Sequence, residues 1–170
     1  MTEQSSRPVS AVTKKAVQVG DPAPDFTLPD ANGTPVHFRD LIGKTEIVLY
    51  FYPKDETPGC TAQACAFRDN YEAFKELGAE VVGVSSDSAA AHQAFVSKYQ
   101  LPFLLLSDEQ GRVRELFDVP KAFGIFPGRV TYIIDKQGIV RHSFDSLVGA
   151  TKHIPDALKV LRQLRGESST

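Results

Sequence analysis

The sequence predicts an α/β domain in which helices cover a mixed β-sheet. Three observations lead to this fold class. Residues 47–52 form a continuous apolar run, as expected of a strand that is buried on both faces. Segments with apolar residues at helical spacing alternate with short apolar runs, which indicates βαβ units. The chain has 170 residues, of which 42% are apolar, so it is long enough to bury a full core.

The order of the elements narrows the fold further. Asn32 and Gly33 lie between two short apolar runs and predict a β-hairpin, because both residues tolerate positive φ. The predicted strands are residues 26–28, 36–38, 47–52, 81–84, 103–106, 129–134 and 139–144, and the predicted helices are residues 61–77, 89–99, 112–117 and 154–164. Parallel βαβ units followed by an antiparallel hairpin and a closing helix are the element order of a thioredoxin-like fold.

Composition and charge predict one domain over residues 17–166, with flexible tails at 1–16 and 167–170. The formal net charge is −2 and the basic residues are scattered, so a nucleic-acid partner is not expected. The longest apolar run is far shorter than the roughly 20 residues of a membrane span, so no membrane association is expected. The N-terminus lacks the apolar stretch of a secretory signal, which predicts a cytoplasmic protein. Its serine, threonine and basic residues leave the plastid stroma as the alternative.

The two cysteines, Cys60 and Cys65, are the most informative feature of the chain. A pair of cysteines cannot form a disulfide-held scaffold. Thr57 precedes a proline and suits an N-cap, while Pro58 suits the first helical position, so Cys60 is expected in the first turn of a helix. The helix dipole stabilises an anion there and predicts a reactive thiolate. The alternative is a buried structural cysteine.

Cys65 lies five residues after Cys60 in the same predicted helix. An intact helix separates the two Cα atoms by about 8–9 Å. Bridged cysteines have Cα atoms within about 7 Å, so a disulfide between them requires the first turns of the helix to unwind. Spacing alone leaves open whether Cys65 is redox-active or an ordinary buried helix position.

The segment PKDETPGCTAQACAFRD, residues 53–69, resembles the active-site stretch of the peroxiredoxins. The resemblance is to their bacterioferritin comigratory protein or peroxiredoxin Q group. It extends from GDPAPDF at residues 20–26 to FPGRVTYIID at residues 126–135, and so spans nearly the whole domain.

The resemblance implies roles for five residues. Cys60 takes the place of the peroxidatic cysteine and Cys65 that of the resolving cysteine. Thr57 would hydrogen-bond the thiolate and the peroxide, and Pro53 would shield the sulfur from water. Arg129 takes the place of the active-site arginine, which keeps the sulfur ionised and polarises the O–O bond.

The implied activity is reduction of hydrogen peroxide or organic hydroperoxides through a Cys60 sulfenic acid that Cys65 converts to a disulfide. Thioredoxin, or alternatively glutaredoxin, would reduce that disulfide. The resemblance implies a monomer and no cofactor or metal. A redox sensor or chaperone using the same cysteine switch stays open as an alternative function.

Other cysteine chemistries fit the sequence poorly. A disulfide reductase would need Cys-x-x-Cys, which is absent. A cysteine phosphatase would need an arginine six residues after its nucleophile, where Ala66 stands. The histidines lack tight ligand spacing with the cysteines, so a zinc site is not expected; they are His37, His92, His142 and His153.

Overall fold

The structure, a computed structural model, describes residues 17–119, 121–122, 126–145 and 149–165. The predicted tails, residues 1–16 and 167–170, lie outside the described residues. The strands are β1 (Thr27–Pro29), β2 (Pro35–His37), β3 (Glu46–Phe51), β4 (Ala79–Ser85), β5 (Leu104–Ser107), β6 (Lys121–Ala122), β7 (Phe126–Pro127), β8 (Val130–Ile134) and β9 (Val140–Asp145). The α-helices are α1 (Pro58–Asp69), α2 (Tyr71–Glu76), α3 (Ala89–Tyr99), α4 (Arg112–Phe117) and α5 (His153–Leu164).

A five-stranded mixed sheet forms the centre of the fold, with strand order β5-β4-β3-β8-β9. β3, β4 and β5 run parallel to one another, as the βαβ pattern predicts. β8 pairs antiparallel with both β3 and β9, which places the predicted C-terminal hairpin at one side of the sheet. The predicted N-terminal hairpin is confirmed as β1 and β2. The thioredoxin-like prediction is therefore correct.

The central strand β3 is buried on both faces, as its apolar sequence predicts. Val48 and Tyr50 point into a core that also contains residues of α1, α2, α3 and α5. Ile47, Leu49 and Phe51 point to the opposite core, which the N-terminal hairpin and α4 cover. Because β3 is enclosed on both sides, the loop that follows it emerges from a rigid base.

The long helix predicted over residues 61–77 is wrong in its continuity. The structure has two helices, α1 and α2, which meet at Asn70. The Asn70 side-chain amide donates to the carbonyl of Ala66 at 2.8 Å, and its backbone leaves the helical region at φ −108° and ψ 10°. The side chain shares the Ala66 carbonyl with the Asn70 backbone N–H, and asparagine side chains that bond the backbone are unfavourable in helix interiors.

The β6–β7 ribbon was not expected, because two-residue strands carry no periodicity. Among the described helices, none combines the length and the apolar character that crossing a bilayer requires.

Candidate active site

The candidate site lies where β3 passes through a short loop into α1. Thr57 is the N-cap of α1, with φ −80° and ψ 152°, and Pro58 is the first helical residue. The predicted start of the helix is therefore correct, and Cys60 lies in the first turn. Its side chain is buried, with 1% of the residue exposed. A sulfur in this position meets the positive end of the helix dipole, which favours the thiolate.

Thr57 and Pro53 shape the loop in front of Cys60. The Thr57 hydroxyl does not cap the helix; it donates to the carbonyl of Lys54 at 2.8 Å. The contact between Thr57 and the thiolate that the resemblance implies is therefore not the hydrogen bond made in this structure. Pro53 is half-buried and lies two residues after the end of β3. Both residues thus border the site, and their catalytic roles stay predictions.

Arg129 brings a positive charge to the Cys60 sulfur from a segment outside α1. It is 4% exposed and directly precedes β8. The pairing of Phe51 with Val130 puts the start of β8 beside the end of β3. The Arg129 Nη2 atom lies 3.5 Å from Cys60 Sγ, a charge-assisted contact in a buried setting.

Gln63 fixes the direction of the guanidinium. It is fully buried on α1, and its Oε1 accepts from Arg129 Nη1 at 2.5 Å. One nitrogen of the Arg129 guanidinium is thus held by α1, while another faces the Cys60 sulfur. Sequence reasoning missed Gln63; the available signal was a polar residue three positions after Cys60, on the same helix face.

Gly59 leaves room for this arrangement. A Cβ atom at position 59 would lie 3.1 Å from Arg129 Nη2, closer than most real Cβ contacts. A larger residue would therefore press on the guanidinium that Gln63 already holds. The glycine before Cys60 therefore has a steric reason.

Cys65 is half-buried, and both cysteines are free thiols in a continuous helix α1. The structure therefore represents the wound state of the helix. A disulfide between the two cysteines would require local unwinding, as the helical geometry predicts.

Two buried polar atoms at α1 lack a hydrogen-bond partner among the described residues. They are the Tyr50 hydroxyl and the Gln63 side-chain nitrogen. Burial raises the pKa of Tyr50 well above its ordinary value, and the charges of Cys60 and Asp55 add to the effect. Tyr50 therefore stays a neutral phenol.

The comparison with known proteins decides the family. Residues 19–143 match the AhpC/TSA family. Chloroplastic peroxiredoxin Q of Arabidopsis thaliana is 53% identical over 161 residues, covering 91% of this chain and 74% of that protein. The chain belongs to the peroxiredoxins. Chloroplastic peroxiredoxin Q of Sedum lineare is also 53% identical, over 88% of this chain and 80% of that protein.

Solved structures place this peroxiredoxin in the same group. Peroxidoxin BcpB from Mycobacterium tuberculosis has a TM-score of 0.82 and 37% identity, covering 88% of this chain and 99% of that one. Peroxiredoxin Q of Xanthomonas campestris has a TM-score of 0.74 and 30% identity, covering 87% and 98%. The resemblance inferred from the active-site motif is confirmed.

Asp55 anchors the peroxiredoxin loop to the body of the protein. Its backbone N–H donates to the Asp87 carboxylate at 2.8 Å. Its carboxylate accepts from the Tyr52 hydroxyl at 2.5 Å and contacts His92 Nδ1 at 2.6 Å. Burial raises the pKa of Tyr52, so this phenol remains a donor. The loop between β3 and α1 is thereby fixed to β4 and α3.

Hydrogen-bond chemistry limits the protonation of this pair. His92 Nε2 lies 3.0 Å from the carbonyl oxygen of Leu106, which can only accept, so Nε2 carries a proton. The 2.6 Å contact between His92 Nδ1 and Asp55 Oδ2 then holds one more proton. An imidazolium next to a carboxylate, or a neutral histidine next to a carboxylic acid, satisfies both contacts.

Asp55, Asp87 and His92 bring their donor atoms within 4.8 Å of one another, a distance compatible with a metal ion. These atoms are already engaged in internal hydrogen bonds, since Ser85 Oγ also donates to Asp87 at 2.6 Å. The cluster therefore serves as a structural network, and the expectation of no metal stays a prediction.

His92→Phe is expected to lower the free energy of unfolding by about 3–5 kcal/mol, because it removes the imidazole from the buried Asp55 carboxyl and leaves only the Tyr52 hydroxyl bonded to it. Urea denaturation followed by circular dichroism measures this change. His37→Phe is the control, because His37 is exposed and surface changes stay within about 0.5 kcal/mol. Equal stability of the two variants would contradict the anchoring role.

Proposed function

We propose that this peroxiredoxin is a thiol peroxidase that uses Cys60 as the peroxidatic cysteine and Cys65 as the resolving cysteine. One observation carries the proposal: the buried Cys60 sulfur lies in the first turn of α1, 3.5 Å from Arg129 Nη2. The helix terminus and the guanidinium both favour negative charge on the sulfur. The same groups can stabilise the negative charge that develops on the leaving oxygen.

The first step transfers two electrons from sulfur to the peroxide. The Cys60 thiolate attacks one peroxide oxygen, the O–O bond breaks, and the other oxygen leaves as an alkoxide or hydroxide that takes up a proton. Cys60 becomes a sulfenic acid. The resemblance assigns Pro53 to shield the sulfur from water in this step, and the Thr57 hydroxyl ties the loop together through its bond to the carbonyl of Lys54.

The second step forms the disulfide and requires α1 to unwind. The Cys65 thiol attacks the Cys60 sulfenic acid and a water molecule leaves. A thioredoxin then reduces the disulfide by thiol exchange, and glutaredoxin is the alternative donor. The cysteine spacing supports this opening, because an intact helix keeps the two Cα atoms about 8–9 Å apart, beyond the reach of a disulfide.

The substrate, the compartment and the assembly state belong to the same proposal. A bacterioferritin comigratory protein from Xanthomonas campestris, 31% identical with a TM-score of 0.71, is described as having alkyl peroxide reduction activity, which supports organic hydroperoxides beside hydrogen peroxide. The chloroplastic relatives support the plastid alternative; the cytoplasmic prediction is not confirmed. The monomer stays a prediction, which sedimentation of the reduced protein tests.

The experiment that tests the proposal follows one equivalent of hydrogen peroxide added to the fully reduced protein. We expect rapid consumption, loss of both thiols and an intact mass lower by two hydrogens. Glutathione at equal thiol concentration is the control. Oxidation no faster than that of glutathione would refute the peroxidase function and favour a sensor. Turnover with thioredoxin or glutaredoxin then identifies the donor.

A further inference from the structure

We propose that Arg114 is a positioning residue of the peroxidatic site. It holds the main chain before Pro53 against the main chain before Arg129. The inference rests on the proposed peroxidase function and adds a residue that the active-site motif does not contain.

The hydrogen bonds of Arg114 join the two segments that carry the site. Arg114 lies on α4 and is 8% exposed. Its Nη2 donates to the carbonyl of Tyr52 at 2.9 Å, and its Nη1 donates to the carbonyl of Gly128 at 3.0 Å. Tyr52 directly precedes Pro53, and Gly128 directly precedes Arg129. The Arg114 guanidinium therefore fixes the main chain next to Pro53 and the main chain next to Arg129.

These two carbonyls lie just beyond the end of a strand ladder. The β3–β8 pairing ends at Phe51 and Val130; Tyr52 follows β3 in the chain, and Gly128 lies two residues before β8. The Tyr52 N–H still donates to Val84, but its carbonyl needs another donor. The planar fork of Arg114 supplies two donors at once, which a lysine ammonium cannot do with the same geometry.

Arg114 is itself held firmly. The Asp108 carboxylate accepts from the backbone N–H groups of Val113 and Arg114, at 3.1 and 2.9 Å, and so fixes the start of α4. The guanidinium carbon lies 5.7 Å from the centre of the Phe51 ring, a cation–π contact. The Arg114 guanidinium is therefore held in place by α4 and the packed core, and not by the loop between β3 and α1.

Arg114 keeps its charge in this buried setting. Burial lowers the pKa of Arg114, whereas the nearby Asp108 carboxylate raises it. An arginine side chain stays protonated in proteins, so the guanidinium remains available to donate to both carbonyls.

The test compares Arg114→Met, which removes both donors, with Arg114→Lys, which keeps the charge but not the two-donor geometry. The rate constant for oxidation of Cys60 by hydrogen peroxide is measured across a pH series. Arg114→Met is expected to react about 10-fold more slowly or worse, because the Arg129 segment shifts, and to show its half-maximal rate at higher pH. Arg114→Lys is expected to show both changes as well, because a single ammonium group cannot hold the Tyr52 and Gly128 carbonyls in the same geometry.

Arg112→Met is the matched control, because it removes an exposed cation from the same helix and should leave both quantities unchanged. Wild-type rate and pH midpoint in the folded Arg114→Met protein would overturn the proposal. If that variant does not fold, Arg114→Lys decides: a low rate supports the proposal and a wild-type rate overturns it. A slow wild-type protein would instead refute the proposed function itself.

Discussion

Arg129→Lys is expected to lower the rate constant for oxidation of Cys60 by peroxide about 10²–10³-fold. The arginine uses one nitrogen to bond Gln63 and another to face the sulfur. A lysine keeps the positive charge but has one ammonium group, which cannot hold both contacts in a fixed plane. The expected loss therefore reports the geometry of the guanidinium rather than its charge alone.

Quenched-flow mass spectrometry of the reduced protein measures this rate, since the chain contains no tryptophan to report it by fluorescence. Arg39→Lys is the control, because Arg39 is an exposed residue paired with Asp25 at 2.9 Å. Gln63→Leu should produce part of the same loss by releasing the guanidinium. An Arg129→Lys rate within a few-fold of the wild-type rate would mean that the orientation of the fork is unimportant.

Local sequence signals predict most of the architecture. α3 and α4 have the predicted bounds because their apolar residues repeat at helical spacing between clear breakers. β3 is predictable from the sequence because a strand that is buried on both faces has an unbroken apolar sequence. The break at Asn70 was missed because the apolar repeat continues across it, while a side-chain hydrogen bond ends the helix.

The candidate site, like the fold, is predictable from the sequence only where local signals define it. The position of Cys60 follows from the residues beside it, since Thr57 and Pro58 define the start of α1. The contact of Arg129 with Cys60 was implied only by the resemblance, because Arg129 lies far from Cys60 in sequence. Arg114 and His92 act on the loop through contacts between distant segments, at sequence separations of 62 and 37 residues. No local pattern encodes such contacts.

Cys65→Ser is expected to abolish thioredoxin-supported turnover while preserving the first oxidation of Cys60. The Cys60 sulfur and Arg129 do not depend on Cys65, so one equivalent of peroxide should still be consumed at the wild-type rate. The product should carry one added oxygen on Cys60 instead of a disulfide. Ala62→Ser, an exposed substitution on the same helix, is the control and should turn over normally.

The same variant tests whether α1 is unwound in the disulfide form. The reduced wild-type protein holds Cys60 and Cys65 in a continuous helix. Because a disulfide between them requires the helix to open, hydrogen exchange should be faster at residues 59–65 of the wild-type disulfide form than in oxidised Cys65→Ser, which has no reason to stay unwound. Equal protection in the two oxidised proteins would contradict the unwinding. Since an intact helix keeps the two Cα atoms about 8–9 Å apart, Cys60 would then have to bond a partner other than Cys65.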